Sequence, residues 1–369
     1  TKPLCPAVTD AMHKAVDEMG VKETFRGYGP EQGYDFLKAA IQAYYAKRDT
    51  KLELDEIFIS DGAKSDVGNI LDIFATDNVV LIPDPVYPVY VDTNVMAGRE
   101  VKFMNANAEN GFLAMPDASV HADIIYMCSP NNPTGAIMER DDLEAIAKVC
   151  IEKDILVMSD EIYAALTYKN KHVSIASVDG MRERTILING FSKAFSMTGW
   201  RLGFACGPKE IMEQIIKIHQ FAIMCAPTTS QYAAVEAMRN GDEDVAKMRE
   251  AYNQRRRYLV NAFHKMGLEC FEPYGAFFHS KRAEYLFQVF LACGHCLQHM
   301  TVYCIQHVFF FFPQARADME SASAKQKALP KQSFLYIEIY LNFGELLCNS
   351  RRAARVVRTA QYAAQIISW

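Results

Sequence analysis

Short apolar runs and amphipathic stretches alternate along the first two thirds of the chain. The runs do not alternate residue by residue between apolar and polar positions, which indicates strands that are buried on both faces. Residues 34–47 instead carry apolar side chains at helical spacing, among them Phe36, Leu37 and Ile41. The runs that predict strands are residues 56–60, 78–85, 123–130, 155–161 and 185–193. Such strands, separated by helices, predict an α/β fold: a three-layer α/β/α arrangement around a mostly parallel sheet.

The pattern changes in the last third of the chain. Residues 208–224 and 229–267 are rich in predicted helix, and residues 267–278 predict a strand that opens a smaller domain. Beyond about residue 280 no regular alternation of strands and helices is visible. The predicted domains are residues 1–25 as the N-terminal part of a smaller α+β domain, 26–265 as the large domain, and 266–369 as the C-terminal small domain, atypical after about residue 280.

Length and charge narrow the function only slightly. The 369 residues suffice for two domains. With 39 basic and 44 acidic residues the net charge is −5, which gives no reason to expect nucleic acid or an anionic membrane as a partner. No apolar run reaches the roughly 18 residues of a membrane span, and the N-terminus shows no signal-peptide pattern. These features predict a cytoplasmic protein.

The ten cysteines are scattered through the chain without a regular framework, which predicts reduced thiols. One group stands apart, because Cys293 and Cys296 form a CxxC pair and His307 follows it. A CxxC pair with nearby histidines can bind zinc. However, no second pair occurs at the spacing of a zinc finger, and the neighbouring residues are apolar and aromatic. We therefore favour an incidental origin over a zinc site and predict no metal.

Polar residues follow four of the predicted strands, namely Tyr87, Asn132, Asp160 and Lys193. Ligands of parallel sheets bind at the C-terminal ends of the strands, so these side chains are candidates for one site. An aromatic face, an amide, a carboxylate and an amine suit a planar, phosphorylated pyridine aldehyde. Lys193 would form a Schiff base with the aldehyde, and Asp160 would keep the ring nitrogen protonated. Asn132 and Tyr163 would hydrogen-bond the ring oxygen, and Tyr87 would stack on the ring.

The phosphate of such a cofactor needs donors of its own. The backbone N–H groups of Gly62, Ala63 and Lys64 lie at a predicted strand-to-helix turn, where the helix dipole favours an anion. Ser192 and Arg201 add a hydroxyl and a guanidinium from the lysine segment. Each residue alone has an ordinary alternative as a helix cap, a turn residue, a core tyrosine or a solvated lysine. The prediction therefore depends on their combination and order along the chain.

Three motifs occur in the order and spacing of one enzyme family: SPNNPTG at 129–135, SDEIY at 159–163 and FSKAFSMTGWRLG at 191–203. They resemble the class I/II aminotransferases of the aspartate aminotransferase fold, which depend on pyridoxal 5′-phosphate. The resemblance covers roughly residues 3–278. It implies the same roles for Lys193 and Asp160 as above, with Asn132 and Tyr163 on the ring oxygen and Arg201 on the phosphate. It also implies a homodimer with shared active sites, in which Tyr28 reaches the neighbouring subunit's phosphate.

The N-terminal half is similar to one subgroup of that family, the LL-diaminopimelate aminotransferases. The segments that carry this likeness include FRGYGPEQGYDFL at 25–37, ISDGAKSD at 59–66 and DPVYPVYVDTNVMAG at 84–98. The subgroup exchanges the amino group between LL-diaminopimelate with 2-oxoglutarate and tetrahydrodipicolinate with glutamate, in lysine biosynthesis. The resemblance implies that Glu31 crosses the dimer interface to bind the distal ammonium, with Asn132 and Lys64 as further substrate contacts. A solvated glutamate after a turn is the alternative for Glu31.

Three departures from the subgroup keep other activities open. Residues 159–168 and 191–204 look more like the broad aspartate and aromatic aminotransferases. The chain also begins late, without the segment that helps relatives close the site. The C-terminal arginine that forks onto the substrate carboxylate is not found, because Glu338 stands in the comparable text and Arg351 and Arg352 follow in another context. Our first prediction is an LL-diaminopimelate aminotransferase. A broad aspartate or aromatic aminotransferase comes second, and an inactive cofactor-binding homologue third.

Overall fold

The computed structural model describes residues 3, 5–265 and 270–276. The chain divides into two units, Thr1–Ser280 and Lys281–Trp369, and every described residue belongs to the first. Most of the predicted C-terminal domain therefore lies outside the described residues. So do the Cys293 and Cys296 pair and Glu338. The predicted domain boundaries stay predictions.

Strands in the described part form one seven-stranded sheet in the order β1-β7-β6-β5-β4-β2-β3. Their bounds are β1 Ile57–Ser60, β2 Val79–Asp84, β3 Glu100–Asn105, β4 Ile124–Cys128, β5 Leu156–Asp160, β6 Thr185–Gly190 and β7 Gly203–Cys206. The five strands from β6 to β3 run parallel to one another. Only β7 is reversed, because it pairs antiparallel with both β1 and β6. The predicted mostly parallel sheet is confirmed.

Nine α-helices accompany the sheet in the part of the chain that the structure describes. They are α1 Pro6–Met19, α2 Asp35–Ala46, α3 Ala63–Asn69, α4 Val89–Met96, α5 Arg140–Glu152, α6 Phe191–Ala194, α7 Lys209–Ala222, α8 Thr228–Asn240 and α9 Asp242–Lys265. The predicted helix over 34–47 is confirmed as α2, which buries Leu37, Ile41 and Tyr45 along one face. No helix within the described ranges is long and apolar enough to cross a membrane.

Helices cover both faces of the sheet. Successive side chains of a strand point to opposite faces, and β1 shows this directly. Ile57 and Ile59 pack in a core cluster with Ile41 of α2, whereas Phe58 packs in a second cluster with Tyr90 of α4. Because helices cover both faces of the sheet, all four residues of β1 are buried, and three successive apolar residues, Ile57, Phe58 and Ile59, precede Ser60.

The strand predicted over residues 267–278 is wrong for its described part, 270–276. This segment contributes only an isolated antiparallel bridge between Gly275 and Thr167. The N–H groups of Tyr274 and Gly275 both donate to the Gly135 carbonyl. A Cβ on Gly275 would lie 2.3 Å from the Cβ of Pro130. The segment therefore packs against the loop after β4 and hydrogen-bonds to its backbone, instead of adding a strand to the sheet.

Candidate active site

Asp160 and Lys193 lie at the C-terminal ends of neighbouring parallel strands. Asp160 is the last residue of β5, and in the strand register it pairs with Cys128 of β4 and Ile188 of β6. Lys193 lies on the single-turn helix α6, which starts directly after β6. The Lys193 Nζ is 5.8 Å from the centre of the Tyr163 ring. The sheet thus brings together three of the predicted site residues.

The Asp160 carboxylate is buried and held by two hydrogen bonds. Its Oδ1 accepts from the Ile162 backbone N–H at 2.9 Å, and its Oδ2 accepts from the Tyr90 hydroxyl at 2.5 Å. Burial raises the pKa of Asp160 to about 6, although the Tyr90 and Ile162 bonds and the Lys193 charge oppose that shift. The two hydrogen bonds therefore fix the position of the carboxylate. Its raised pKa allows it to share a proton with a basic ring nitrogen.

The Lys193 ammonium is destabilised by its position. Burial lowers the pKa of Lys193, and the attraction of the nearby Asp160 carboxylate only partly offsets this effect. A lower pKa increases the fraction of the neutral amine, which is the form that attacks a carbonyl carbon. The arrangement can therefore supply both a nucleophilic amine and, after release, a base.

Asn132 and Tyr87 occupy the same edge of the sheet. Asn132 is buried, and its Oδ1 has no hydrogen-bond partner among the described residues. A buried amide oxygen left unpaired costs about 1–3 kcal/mol, and an amide can present either its NH₂ or its oxygen to a ligand. The Tyr87 ring meets the Tyr90 ring edge-on, at 5.9 Å between centroids. An amide and an aromatic face therefore lie at the sheet edge that carries the carboxylate, and a planar ring with a polar substituent could contact both.

The loop after β1 carries the predicted phosphate donors. Gly62 has φ +136° and is the N-cap of α3, which Ala63 and Lys64 begin. The first N–H groups of a helix lack intrahelical partners. The Gly62 N–H, by contrast, donates to the Ser60 hydroxyl oxygen at 3.2 Å. Gly62 thus contributes its left-handed conformation to the loop, while its own N–H is engaged in the protein.

Arg201 lies against this loop. A Cβ on Gly62 would be 3.0 Å from the Arg201 Nη2, so the guanidinium covers the glycine. Arg201 itself has φ 51°, a left-handed conformation, and its Nη1 donates to the Thr198 carbonyl at 3.1 Å. The predicted arginine and glycine therefore meet in space, although 139 positions separate them (201 − 62). Ser192 is half-buried and directly precedes Lys193 on α6.

Tyr28, Glu31 and Lys64 lie on the exposed surface of the chain. Tyr28 is 85% exposed. The Glu31 Oε1 accepts a hydrogen bond from the Gln220 Nε2 at 2.6 Å. Neither Tyr28 nor Glu31 makes a hydrogen bond or ring contact with Lys193 or Asp160 within the described chain. Their predicted roles concern a neighbouring subunit, and they stay predictions.

Sequence reasoning missed Tyr90 as the partner of the site carboxylate. Tyr90 follows Tyr87 by three positions, so the two residues are neighbours on one turn at the start of α4. That spacing was the available signal, since an aromatic hydroxyl next to a predicted ring-stacking residue faces the same space. The sequence alone does not place α4 against the end of β5.

A second buried carboxylate, Glu161, was also missed. Glu161 is 1% exposed and accepts hydrogen bonds from the hydroxyls of Tyr45 at 3.1 Å and Ser174 at 2.7 Å. The His172 Nε2 lies 3.3 Å from it. The Asn189 amide donates to the Tyr45 oxygen at 3.2 Å. This network ties the end of β5 to the strand residue that leads into the lysine segment.

The strand ends of this parallel sheet carry a buried carboxylate, a lysine of lowered pKa, an amide and a glycine loop beside an arginine, groups that could hold a phosphorylated pyridine cofactor. Comparison with known proteins identifies the family. The model of the family "Aminotransferase class I and II" matches residues 1–319. The chain belongs to this family of pyridoxal-phosphate-dependent transaminases, which confirms the predicted fold class, enzyme class and cofactor.

Individual relatives agree with this assignment. The Bacillus subtilis protein YugH is 39% identical over 269 residues, which are 70% of this chain and 69% of YugH. An LL-diaminopimelate aminotransferase from Desulfosudis oleivorans is 46% identical over 225 residues, or 58% of this chain. The match spans only 54% of that relative's length. The aromatic aminotransferase structure from Pyrococcus horikoshii superposes with a TM-score of 0.72 at 32% identity, covering 79% of this chain and 81% of that one.

Gly203 is predicted to be essential to the shape of the loop beside Arg201. A Cβ at this position would lie 2.7 Å from both the Ala63 nitrogen and the Gly62 Cα. We expect Gly203→Ala to lower the free energy of unfolding by about 1–3 kcal/mol and to weaken pyridoxal phosphate binding, measured by absorbance titration. Gly199→Ala is the control, because a Cβ there meets nothing within 4 Å. Wild-type affinity in Gly203→Ala would contradict this account of the loop.

Asp66 is predicted to give the cofactor-free protein a pH-dependent stability. Its Oδ2 accepts from the Ser60 hydroxyl at 2.5 Å, and burial raises the pKa of Asp66 from 3.8 to about 8. Between these values the unfolded chain has released a proton that the folded chain retains. Stability should therefore fall as pH rises through this window, by about 1.4 kcal/mol per pH unit from this group. The free energy of unfolding, measured with urea at several pH values in this window, should fall less steeply with pH in Asp66→Asn than in wild type. An equally steep fall in the variant would disprove the raised pKa of Asp66.

Proposed function

We propose that this aminotransferase takes the amino group from LL-diaminopimelate and transfers it to 2-oxoglutarate, as a cytoplasmic homodimer with shared active sites. The observation that carries the reaction class is the buried Asp160 beside the pKa-lowered Lys193 at the ends of β5 and β6. The choice of substrate rests on Glu31 and on the likeness of the N-terminal half to LL-diaminopimelate aminotransferases. Each part has its own support and its own test.

In this proposal the cofactor is held by the residues at the sheet edge. The phosphate would bind at the start of α3 next to Arg201 and Ser192, and Tyr87 would stack on the ring. Asn132 and Tyr163 would hydrogen-bond the ring oxygen. When bound, pyridoxal phosphate supplies an electron sink for the bond that breaks at the substrate Cα. The buried amide of Asn132 supports this fit, since its oxygen has no hydrogen-bond partner among the described residues.

Two residues of the chain would move or hold protons. The Lys193 amine would bond the cofactor between turnovers. When free, it would take the proton from the substrate Cα as a base and deliver it as an acid to the cofactor C4′. Asp160 would hold a proton on the ring nitrogen, and its hydrogen bond from Tyr90 at 2.5 Å keeps the carboxylate in one orientation. Because burial lowers the pKa of Lys193, a larger fraction of the freed amine is neutral and can act as a base.

An exposed apolar patch supports the proposed dimer. The loop at residues 25–31 is tied to the end of α7 by the Gln220–Glu31 bond and to α8 by the Thr228 hydroxyl, 3.4 Å from the Gly27 carbonyl. On this surface Tyr28 is 85% exposed and Phe221 is 92% exposed. Large exposed aromatic side chains of this kind mark interaction surfaces. A second copy of the chain covering them would also bring Tyr28 and Glu31 to the neighbouring site.

A carboxylate at position 31 matches the chemistry of diaminopimelate. This substrate carries a second ammonium group far from the reacting carbon, and an ammonium is recognised best by a carboxylate. The bond from Gln220 fixes the direction of the Glu31 side chain and leaves its other oxygen for a ligand. Aspartate and aromatic amino acids carry no distal ammonium, so Glu31 would not favour them.

The experiment that tests this function is the half-reaction of the loaded enzyme. Adding LL-diaminopimelate should convert the visible absorption band of the bound cofactor to that of the pyridoxamine form. Conversion by aspartate or phenylalanine but not by LL-diaminopimelate would favour the second candidate, a broad aspartate or aromatic aminotransferase. The superposition on the aromatic aminotransferase supports that candidate. A band that no amino donor converts would instead favour an inactive homologue.

Glu31→Gln should lower activity selectively. We expect kcat/KM for LL-diaminopimelate to fall about 10- to 100-fold, because a charge-assisted hydrogen bond to the distal ammonium is lost. Activity with aspartate should stay within about twofold, since aspartate makes no such contact. Glu23→Gln, at another exposed position before α2, is the matched control. Equal losses with both substrates would rule out Glu31 as a specificity residue.

A further inference from the structure

His219 of α7 is buried behind the loop that the proposed function assigns to the cofactor phosphate. The side chain is 2% exposed, and neither ring nitrogen has a hydrogen-bond partner among the described residues. Its ring packs edge-on against Phe58 of β1, at 4.6 Å between centroids. A buried imidazole with two unpaired nitrogens loses the hydrogen bonds that water would give it. This burial is unfavourable, so a histidine at this position needs an explanation other than packing.

Asp61 faces His219 from the loop. Its Oδ1 is buried, has no hydrogen-bond partner in the described part of the chain, and lies 3.9 Å from the His219 Nε2. Its Oδ2 accepts from the Ser65 hydroxyl at 2.9 Å. Asp61 directly precedes Gly62, the N-cap of α3. The unpaired carboxylate oxygen and the unpaired imidazole therefore point at each other next to the loop beside Arg201.

The charges around His219 and Asp61 decide which protonation state of the imidazole a bound phosphate favours. A phosphate dianion next to Asp61 repels the carboxylate, and a cationic imidazole would offset that repulsion. Burial lowers the pKa of His219 and the Asp61 carboxylate opposes that shift, so a second negative charge nearby favours the imidazolium further. Proton binding and phosphate binding are linked: if bound phosphate raises the proton affinity of the His219 imidazole, protonated His219 must raise the affinity for phosphate by the same factor.

Other charged groups on the elements packed against α7 are engaged elsewhere or exposed. On the segment Leu54–Glu56, Asp55 pairs with Lys209 at 2.9 Å and Glu56 pairs with Arg182 at 2.7 Å. On α3, Asp66 is bonded to Ser60 and Lys64 is exposed, and Asp72 of Ile70–Ile73 is exposed as well. Phe58 is the apolar contact from β1. Asp61 is thus the carboxylate that interacts with His219.

We propose that His219 is a positioning residue of the phosphate site: on phosphate binding it takes up a proton from solvent, donates from Nε2 to Asp61 Oδ1, and neutralises the carboxylate beside the phosphate. This proposal rests on the placement of the phosphate next to Arg201 in the proposed function. It predicts that phosphate affinity depends on His219 only while the imidazole can be protonated.

The test compares pyridoxamine 5′-phosphate with pyridoxamine, which differ only in the phosphate. Neither forms a bond to Lys193, so the titration of that amine does not govern their binding. Dissociation constants are measured by fluorescence titration of the cofactor-free full chain. At about pH 6, His219→Gln should weaken binding of the phosphorylated ligand about five- to tenfold and leave pyridoxamine unchanged. At about pH 8.5 wild type and variant should converge, because the imidazole is neutral in both ligand states.

Three further variants separate the possible outcomes. His172→Gln removes another buried histidine beside a carboxylate, 3.3 Å from Glu161, and should leave the ratio of the two affinities unchanged. In an Asp61→Asn background, His219→Gln should have no further effect. Arg201→Ala should lower the affinity for the phosphorylated ligand alone. If Arg201→Ala does not, the phosphate placement in the proposed function fails, and the inference fails with it.

Two results would overturn the role of His219 while the phosphate placement stands. The first is equal weakening of both ligands by His219→Gln, which a purely structural role produces. The second is a loss of phosphate affinity that is the same at acidic and alkaline pH. In either case Arg201→Ala would still discriminate between the two ligands, so the proposed function would remain intact.

Discussion

Burial of a carboxylate and an amine side by side is the constraint on which the site depends. Asp160 ends β5, and Lys193 follows the neighbouring β6 by a single turn of helix. A parallel sheet that is covered on both faces brings both groups to one edge, where Asp160 is buried and Lys193 is half-buried. The lowered pKa of Lys193 and the raised pKa of Asp160 both follow from that burial. Water at this edge would weaken the pKa shifts that make the pair chemically useful.

Such burial is unfavourable unless hydrogen bonds accompany it. The structure provides them from helices that pack on the sheet. Tyr90 of α4 donates to Asp160, and Tyr45 of α2 donates to Glu161. The two bonds come from opposite faces, because Tyr90 belongs to the core cluster around Phe58 and Tyr45 to the cluster around Ile57 and Ile59. The scaffold and the chemistry are therefore stabilised by the same packing.

The sequence predicted the parts of the site that follow from strand ends. Asp160 and Lys193 each follow an apolar run within a few residues, and parallel strands collect such positions at one edge. The helix over 34–47 was also predictable from local pattern, because the residues with helical apolar spacing form the buried face of α2. The side-chain types at the strand ends and the order of the motifs then restricted the ligand to one class of cofactor.

Residues whose role depends on contacts between distant elements were not predictable. Tyr90 and His219 read as ordinary members of a core, and only packing shows that they face the carboxylates of Asp160 and Asp61. In the same way, only packing shows that Glu161 is a buried carboxylate that accepts hydrogen bonds from Tyr45 and Ser174. The strand predicted over 267–278 is wrong in its described part, 270–276. There Gly275 packs so closely on the Pro130 ring that a Cβ would lie 2.3 Å from it, a contact that no local pattern encodes. Local periodicity thus predicts helices and strands, whereas contacts between segments distant in sequence decide whether a predicted strand forms.

The most direct test of the central claim is to locate the covalent attachment of the cofactor. The full chain is loaded with pyridoxal phosphate, the bond to the protein is reduced with borohydride, and the modified peptide is identified by mass spectrometry. The account predicts one pyridoxyl-modified residue, Lys193, and no stoichiometric modification in Lys193→Ala. Modification of a different lysine, or stoichiometric labelling that persists in Lys193→Ala, would contradict the account.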